Sequence, residues 1–233
     1  MKYLRKFENQ TAKNVWLMGD NFVSPNVLLI GGEVEYNAKA IPQGVSIQHI
    51  DGTLYTMAQW VDRGFANNAA NGVAIVDEAA SFVIAKTEKY NCIWASDTSN
   101  LIEGVTTLPS ETLAGQSKDY GGYANTQAML SVDTSGAAYY CNTYIFPNGA
   151  RGYLPAMGEW RVAYKYATQI SEAMNLIGAE QIGSSNTRYS MWSSTQYDAT
   201  HACSFSWANG TYGARYGDQK SNNYMKVRAF AVL

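Results

Sequence analysis

The stretch Met191–Arg228, MWSSTQYDATHACSFSWANGTYGARYGDQKSNNYMKVR, decides how the rest of the chain is read. Framework-like residues stand at its ends and at intervals within it: Trp192-Ser193-Ser194-Thr195, Phe205, Trp207, Asn209-Gly210 and Val227-Arg228. Between them lie small residues, polar residues and tyrosines. From Tyr197 to Asp218 there is no Lys, Glu, Gln or Met, although all four occur freely elsewhere. A fixed scaffold carrying a binding surface has this texture, and it points to recognition rather than catalysis. Asn209-Gly210 predicts a hairpin between strands at Ala202–Ala208 and Thr211–Tyr216. In the first of these, Cys203, Phe205 and Trp207 alternate with Ser204 and Ser206, so one set faces inward and the other outward. Tyr189–Ser194 and Tyr224–Val232 also read as strands. The mixed pattern of Val227, Ala229 and Ala231 against Arg228, Phe230 and Val232 fits a strand buried on both faces.

Moving upstream, Met157–Ile177 reads as one helix. Trp160, Ala163, Tyr164, Ala167, Ile170, Met174 and Ile177 recur at helical spacing, with Pro155 before the first turn and Gly178 at the C′ position. Such a stripe is structural. Gly115–Asn125 reads as a loop, with Asn125 or Thr126 capping a helix through Met129-Leu130, and a second short helix spans Ala137–Tyr144. Further upstream, Gly44–Ile50 alternates as a strand before the turn Asp51-Gly52, and Thr56 caps a short helix bearing Met57, Trp60 and Val61. Asn71-Gly72 reads as a turn. Val73–Val76 and Ser81–Ala85 then pair across Asp77-Glu78. Alternating short strands and helices make the fold class α+β.

Residues 1–44 carry two strand-like pieces, Asn14–Met18 and Asn26–Leu29, which are too little for an independent core. They form an arm for tethering or oligomerisation that packs on the main domain or a neighbouring subunit. Residues 45–233 form the main domain. The formal charge of −2, with 15% charged residues, offers no basic field for nucleic acid. The N-terminus lacks a signal-peptide core, and the apolar run Val27–Ile30 is far too short to span a bilayer. No membrane insertion is expected, and the protein is expected to be made and kept soluble. Three widely spaced cysteines suggest reduced thiols, with Cys92 and Cys141 as small core residues. No CxxC, phosphate loop or dinucleotide fingerprint occurs, so no metal or cofactor is expected. His49 reads as an ordinary strand residue and His201 as a contact residue rather than a base. Arg228 is expected in a buried charge-assisted contact and Arg215 on the surface. Seventeen tyrosines suit either a binding surface or strand filling. Trp192 and Trp207 could stack a sugar, although core framework is the preferred reading.

The string Ala150–Trp160 (ARGYLPAMGEW) before a helix, followed by Trp192-Ser193-Ser194-Thr195, Phe205, Asn209-Gly210 and Val227-Arg228, resembles the C-type-lectin-fold domains of bacteria and phage. These include the variable proteins of diversity-generating retroelements and the related formylglycine-generating-enzyme-like group. The resemblance covers roughly Gly44 to Leu233. The arm, with Ser24-Pro25-Asn26-Val27 and Glu35-Tyr36-Asn37, is similar to the lead-in of tail-associated proteins of gut-bacterial phages.

The resemblance implies a C-type lectin fold with a short N-terminal β arm. It implies a non-enzymatic display protein at a phage tail, made in the host cytoplasm, binding a bacterial surface protein or glycan. By analogy with phage fibres it implies a homotrimer. A bacterial lectin-like adhesin at the cell surface and a formylglycine-generating-type enzyme are the alternatives. Calcium-dependent sugar binding is disfavoured, because the Glu-Pro-Asn and Gln-Pro-Asp motifs of animal lectins are missing. An enzyme of the related group would use a cysteine pair, and Cys203 stands alone in the C-terminal half. Retroelements randomise adenines, typically in Asn codons, which cannot yield Lys, Glu, Gln, Met or Trp. The ligand-binding set implied is Tyr197, Asp198, Thr200, His201, Cys203, Ser206, Ala208, Thr211, Tyr212, Ala214 and Tyr216. Variation at these positions changes specificity while inward anchors hold the fold.

Overall fold

The computed structural model describes residues 27–30, 33–36, 43–183, 190–212 and 217–233. The chain divides into two compact units, Met1–Pro42 and Gln43–Leu233. In the first, β1 (Val27–Ile30) and β2 (Glu33–Tyr36) pair antiparallel, with Val27 opposite Tyr36. The expected strand at Asn14–Met18 lies outside the described residues.

The second unit is α+β. It contains β3 (Gly44–His49), β4 (Leu54–Tyr55), α1 (Met57–Asp62), β5 (Ala70–Val76), β6 (Ser81–Ile84) and β7 (Lys89–Cys92). Four helices follow: α2 (Leu113–Gln116), α3 (Gly122–Leu130), α4 (Ala137–Thr143) and α5 (Met157–Lys165). Next come α6 (Ala167–Leu176), β8 (Ser190–Gln196), β9 (His201–Ser206), β10 (Thr211–Tyr212) and β11 (Asp218–Gln219). The chain closes with β12 (Met225–Val227) and β13 (Phe230–Val232). One sheet runs β13-β6-β5-β3-β4 and is antiparallel throughout. The other runs β10-β9-β8-β12-β7, with β11 beside β10 on the same edge of β9. Only the β12–β8 pair in it is parallel among the described residues.

The strands separate two cores, and the two-residue period of a strand decides which side chain enters which. Val73, Ile75, Phe82, Ile84, Met191, Cys203, Phe205 and Phe230 face the core covered by α5 and α6. Their neighbours Ala74, Val83, Trp192, Ala202 and Ala231 face the core that includes Met129 of α3 and Cys141 of α4. Strands buried on both faces cannot display a clean inside-outside alternation, so β9 is covered from Ala202 to Phe205.

Several elements depart from the sequence reading. Asn71-Gly72 lies inside β5, not at a turn. A Cβ on Gly72 would fall 2.4 Å from the Ile84 carbonyl oxygen, so glycine serves close strand approach here. Asn71 is buried, donates to Gln48 Oε1 at 2.5 Å and accepts from the Asn148 N–H at 3.0 Å. Asn125 and Thr126 sit within α3, which starts at Gly122. They make tertiary bonds: Asn125 joins Asp119, Ser194 and Thr106, and Thr126 accepts from the Leu154 N–H. Tyr224–Val232 is two strands in different sheets, β12 and β13, with Arg228-Ala229 at the crossing.

The long helix breaks at Tyr166 into α5 and α6. Asp77 holds the end of α5 and the break residue, accepting from Lys165 Nζ and Tyr166 Oη at 2.7 Å each. Gly178 does occupy the C′ position, with φ +62°. Its N–H donates to Asn175 and that of Ala179 to Met174, which is the Schellman pattern. Thr56 caps α1 and closes a capping box with Gln59.

Candidate functional site

The strings 150–160 and 192–195 meet in space. The Trp160 indole donates to the Trp192 carbonyl at 3.1 Å, and the Trp192 indole donates to the Cys92 carbonyl at 2.8 Å. The Trp94 indole donates to the Ser193 carbonyl at 2.7 Å. Thr195 Oγ1 accepts from the Met157 N–H, capping α5 from the neighbouring strand, and donates to Asp119 at 2.8 Å. Trp192 is fully buried, and Trp207 is half-buried against Trp160 and Tyr164. Both tryptophans are therefore framework.

Glu159 is buried in the same network. It accepts from the Ala156 N–H at 2.7 Å and the Tyr153 hydroxyl at 2.8 Å. Burial pushes its carboxyl up from 4.5 to about 7, outweighing these hydrogen bonds, and nearby Asp119 adds to the rise. Between those two pH values the folded chain holds a proton that the unfolded chain has lost. Stability therefore falls as pH rises from 4.5 to 7, by on the order of 3 kcal/mol, and levels off above. Glu159→Gln keeps an acceptor for Ala156 and is expected to remove this slope. Urea unfolding of both proteins across that range measures it, and parallel pH curves for the two would refute the assignment.

The nominated binding residues fall into two groups at opposite ends of β9. At its start, Tyr197 and Asp198 donate their N–H groups to the His201 carbonyl and close a tight turn. Asp198 accepts from the N–H groups of Thr200 and His201, at 2.7 Å each, and from the Thr200 hydroxyl at 3.0 Å. Burial raises the Asp198 carboxyl, but these hydrogen bonds win and hold it below the usual carboxylate range. Thr200 Oγ1 and Asp198 Oδ1 both lie against His201 Nδ1, at 2.9 and 3.1 Å. Two partners on one ring nitrogen do not make a catalytic relay, which needs one on each. Thr200 is exposed, while Asp198 and His201 are half-buried. Tyr197 is half-buried against the aromatic core, beside Gly217.

At the other end, Ser206 and Thr211 are half-buried partners across the hairpin, and Ala208 is exposed in its turn. Five strand steps of about 3.3 Å put the groups roughly 17 Å apart. Cys203, between them, is a correction: it has no exposed surface and packs in the core. Burial drives its thiol far above the ordinary cysteine value, so it is neither a contact residue nor an activated nucleophile. Tyr212 pairs with Phe205 through the backbone of β10. Ala214, Tyr216 and Arg215 lie outside the described residues.

Sequence reasoning missed Lys220, which ties the first group to the body. It is fully buried and lies 4.9 Å above the Trp94 ring. Its ammonium donates to the carbonyls of Asn100 and Ala199 at 2.7 and 2.8 Å and to Gln196 Oε1 at 3.2 Å. Burial lowers its pKa, opposed by the charges of Asp97 and Asp198. Gln196, also buried, completes the clamp by exchanging bonds with Ile102 N–H and C=O at 2.8 and 2.9 Å. The signal available was Lys220 standing just beyond a stretch without lysine.

Among the described residues, no helix is long and apolar enough to cross a membrane, and no His, Cys, Asp and Glu side chains cluster as a metal ligand set. No protein-family model, curated protein or solved structure matches the chain.

Proposed function

We propose that this is a ligand-binding display protein with a C-type lectin fold, acting as the receptor-binding part of a phage tail and recognising a bacterial surface protein or glycan. One observation carries the reading. In the turn after β8, the side chains of Asp198, Thr200 and His201 bond within the turn itself, whereas the buried anchors around them, Gln196, Trp192, Phe205 and Lys220, belong to the framework. Side chains that bond only within their own turn leave the core untouched when exchanged; at exposed Thr200 such a change typically moves stability by about 0.5 kcal/mol or less, and at half-buried Asp198 it costs the turn's own hydrogen bonds. The pairing of β1 with β2 in residues 1–42 suits an arm that tethers or oligomerises, and repetition in a trimer would raise avidity where single contacts are weak. An enzyme of the formylglycine-generating type needs an accessible thiol, and the burial of Cys203 speaks against that alternative.

The test is binding of the purified protein to panels of bacterial cells and surface glycans, with Thr200→Ala, His201→Ala and Thr211→Ala combined in one variant. The expected result is a melting temperature within a few degrees of wild type and at least roughly tenfold weaker binding. Undiminished binding by the variant would move the site elsewhere. A near-copy of the codons for residues 189–228, differing only at adenines and beside a reverse transcriptase gene, would support diversification independently.

A further inference from the structure

A groove of about 390 Å³ runs beside the hairpin turn, lined by Tyr120, Arg161, Val162, Tyr164, Lys165 and Gly210. Two glycines shape its walls. A Cβ on Gly158 would lie 2.7 Å from the Tyr120 ring, so the bare first turn of α5 lets that ring lie across it. A Cβ on Gly210 would lie 2.0 Å from the Tyr164 ring, so the hairpin turn rests directly on that tyrosine. Tyr164 is held from behind by Phe205 and Trp207, with ring centroids 5.7 and 5.3 Å away. Tyr120 is 44% exposed, so one ring is offered to solvent while the other is fixed.

The cations differ. Lys165 is engaged, with its ammonium 2.7 Å from Asp77. Arg161, one helical turn earlier and exposed, has no ion pair or hydrogen bond through its guanidinium among the described residues. Neither tyrosine hydroxyl has an intramolecular partner there. The groove thus combines two aromatic rings, two unengaged hydroxyls and one unpaired fork of donors, within the size range of small-ligand sites, about 300–1,000 Å³. An arginine fork matches a carboxylate bidentately. Ring faces with hydroxyls at their edges match the C–H face and hydroxyl rim of a sugar better than they match a flexible alkyl chain.

We propose that this groove is a second binding site, for a carboxylate-bearing sugar of the uronic acid class. Arg161 pairs with the carboxylate, and Tyr120 stacks on the ring. The groove stands independently of the display reading.

Digalacturonate is the probe, followed by saturation-transfer NMR and calorimetry, with glucose and acetate as comparison ligands. Expected are saturable binding of digalacturonate, no binding of glucose or acetate at the same concentration, and a roughly tenfold or greater loss in both Arg161→Ala and Tyr120→Ala. Arg161 is exposed, so Arg161→Ala should melt with wild type; Tyr120 packs on Gly158, so Tyr120→Ala is compared well below its own melting temperature. Arg161→Lys should recover little because an ammonium lacks the fork. A Thr200→Ala/His201→Ala variant, changed at the far end of β9 from the groove, should bind the probe normally. Absence of saturable binding would overturn the proposal, as would equal binding of acetate. Binding that survives Arg161→Ala, or is lost in the Thr200→Ala/His201→Ala variant, would place the sugar elsewhere. Failure of the protein to bind any cell panel bears only on the display reading.

Discussion

Arg228→Met is expected to lower the unfolding free energy by about 3–5 kcal/mol, the cost of stranding a buried charge. Arg228 has no exposed surface and stands where the chain leaves β12 in one sheet for β13 in the other. Its guanidinium lies 3.1 Å from Glu88, whose side chain is also fully buried, and donates to the carbonyls of Ala85 and Glu180 at 3.0 and 2.9 Å. One residue thereby joins the end of β6, the segment after α6 and the crossing itself. Burial lowers its pKa, and the charges of Glu88 and Glu180 counter that shift. Lys226, 3.8 Å from Glu88, is too far for a hydrogen bond and does not replace the arginine. Replacing Glu88 as well would strand the buried Lys226 ammonium in turn, so the variant that should recover part of the loss is the triple Arg228→Met/Glu88→Gln/Lys226→Met, in which no unpaired charge of the cluster remains. Urea unfolding measures both. A loss under about 1 kcal/mol in the single variant, or no recovery in the triple, would show that the charge cluster does not hold the crossing.

Lys220→Met is expected to cost about 3 kcal/mol and to loosen the turn that carries Asp198, Thr200 and His201. The methionine chain fills much of the space over Trp94 but leaves the carbonyls of Asn100 and Ala199 without their donor. Charge-assisted bonds contribute about 1.5–3 kcal/mol each in mutational series, though not additively. Amide exchange should therefore quicken most at Ile102, bound to Gln196, and at Thr200 and His201, while β5 and β6 keep their protection. Lys220→Arg should fare poorly as well, since a planar fork does not fit three oxygens arranged around one compact ammonium. Uniform exchange across the molecule would mean that Lys220 contributes only general stability and does not position the turn.

The parts legible in the sequence are those whose signals are local. Thr56 three residues before Gln59 specifies a cap, and Gly178 after an apolar helix specifies a Schellman stop. A hairpin does form at Asn209-Gly210, but Ser206 pairs with Thr211, so its loop is the four residues Trp207–Gly210 instead of the two predicted, and β9 stops short of Trp207 and Ala208. Gly210 serves twice, with φ +64° and as the seat for Tyr164. Asn71-Gly72 carries the same dipeptide but a different meaning. A glycine needed for close approach to a partner strand looks the same in sequence as one needed for a turn. The nominated binding set was legible only as a texture of residue types. Cys203 fits that texture, yet β9 is covered on both faces and the thiol is in the core.

From the chain's own residues come the α+β class, the places of β3, β6, α4, β8 and β9, the burial of Cys92 and Cys141, and the expectation of a buried contact for Arg228. The tertiary structure alone decided that Tyr224–Val232 splits between two sheets, that Lys220 holds the Asp198 turn, and that Tyr120, Arg161 and Tyr164 share a groove. The physical reason is range. Backbone caps and turns are set by neighbours a few residues away, whereas a buried ammonium, a strand crossing or a groove wall depends on partners up to 143 positions distant, as Arg228 is from Ala85.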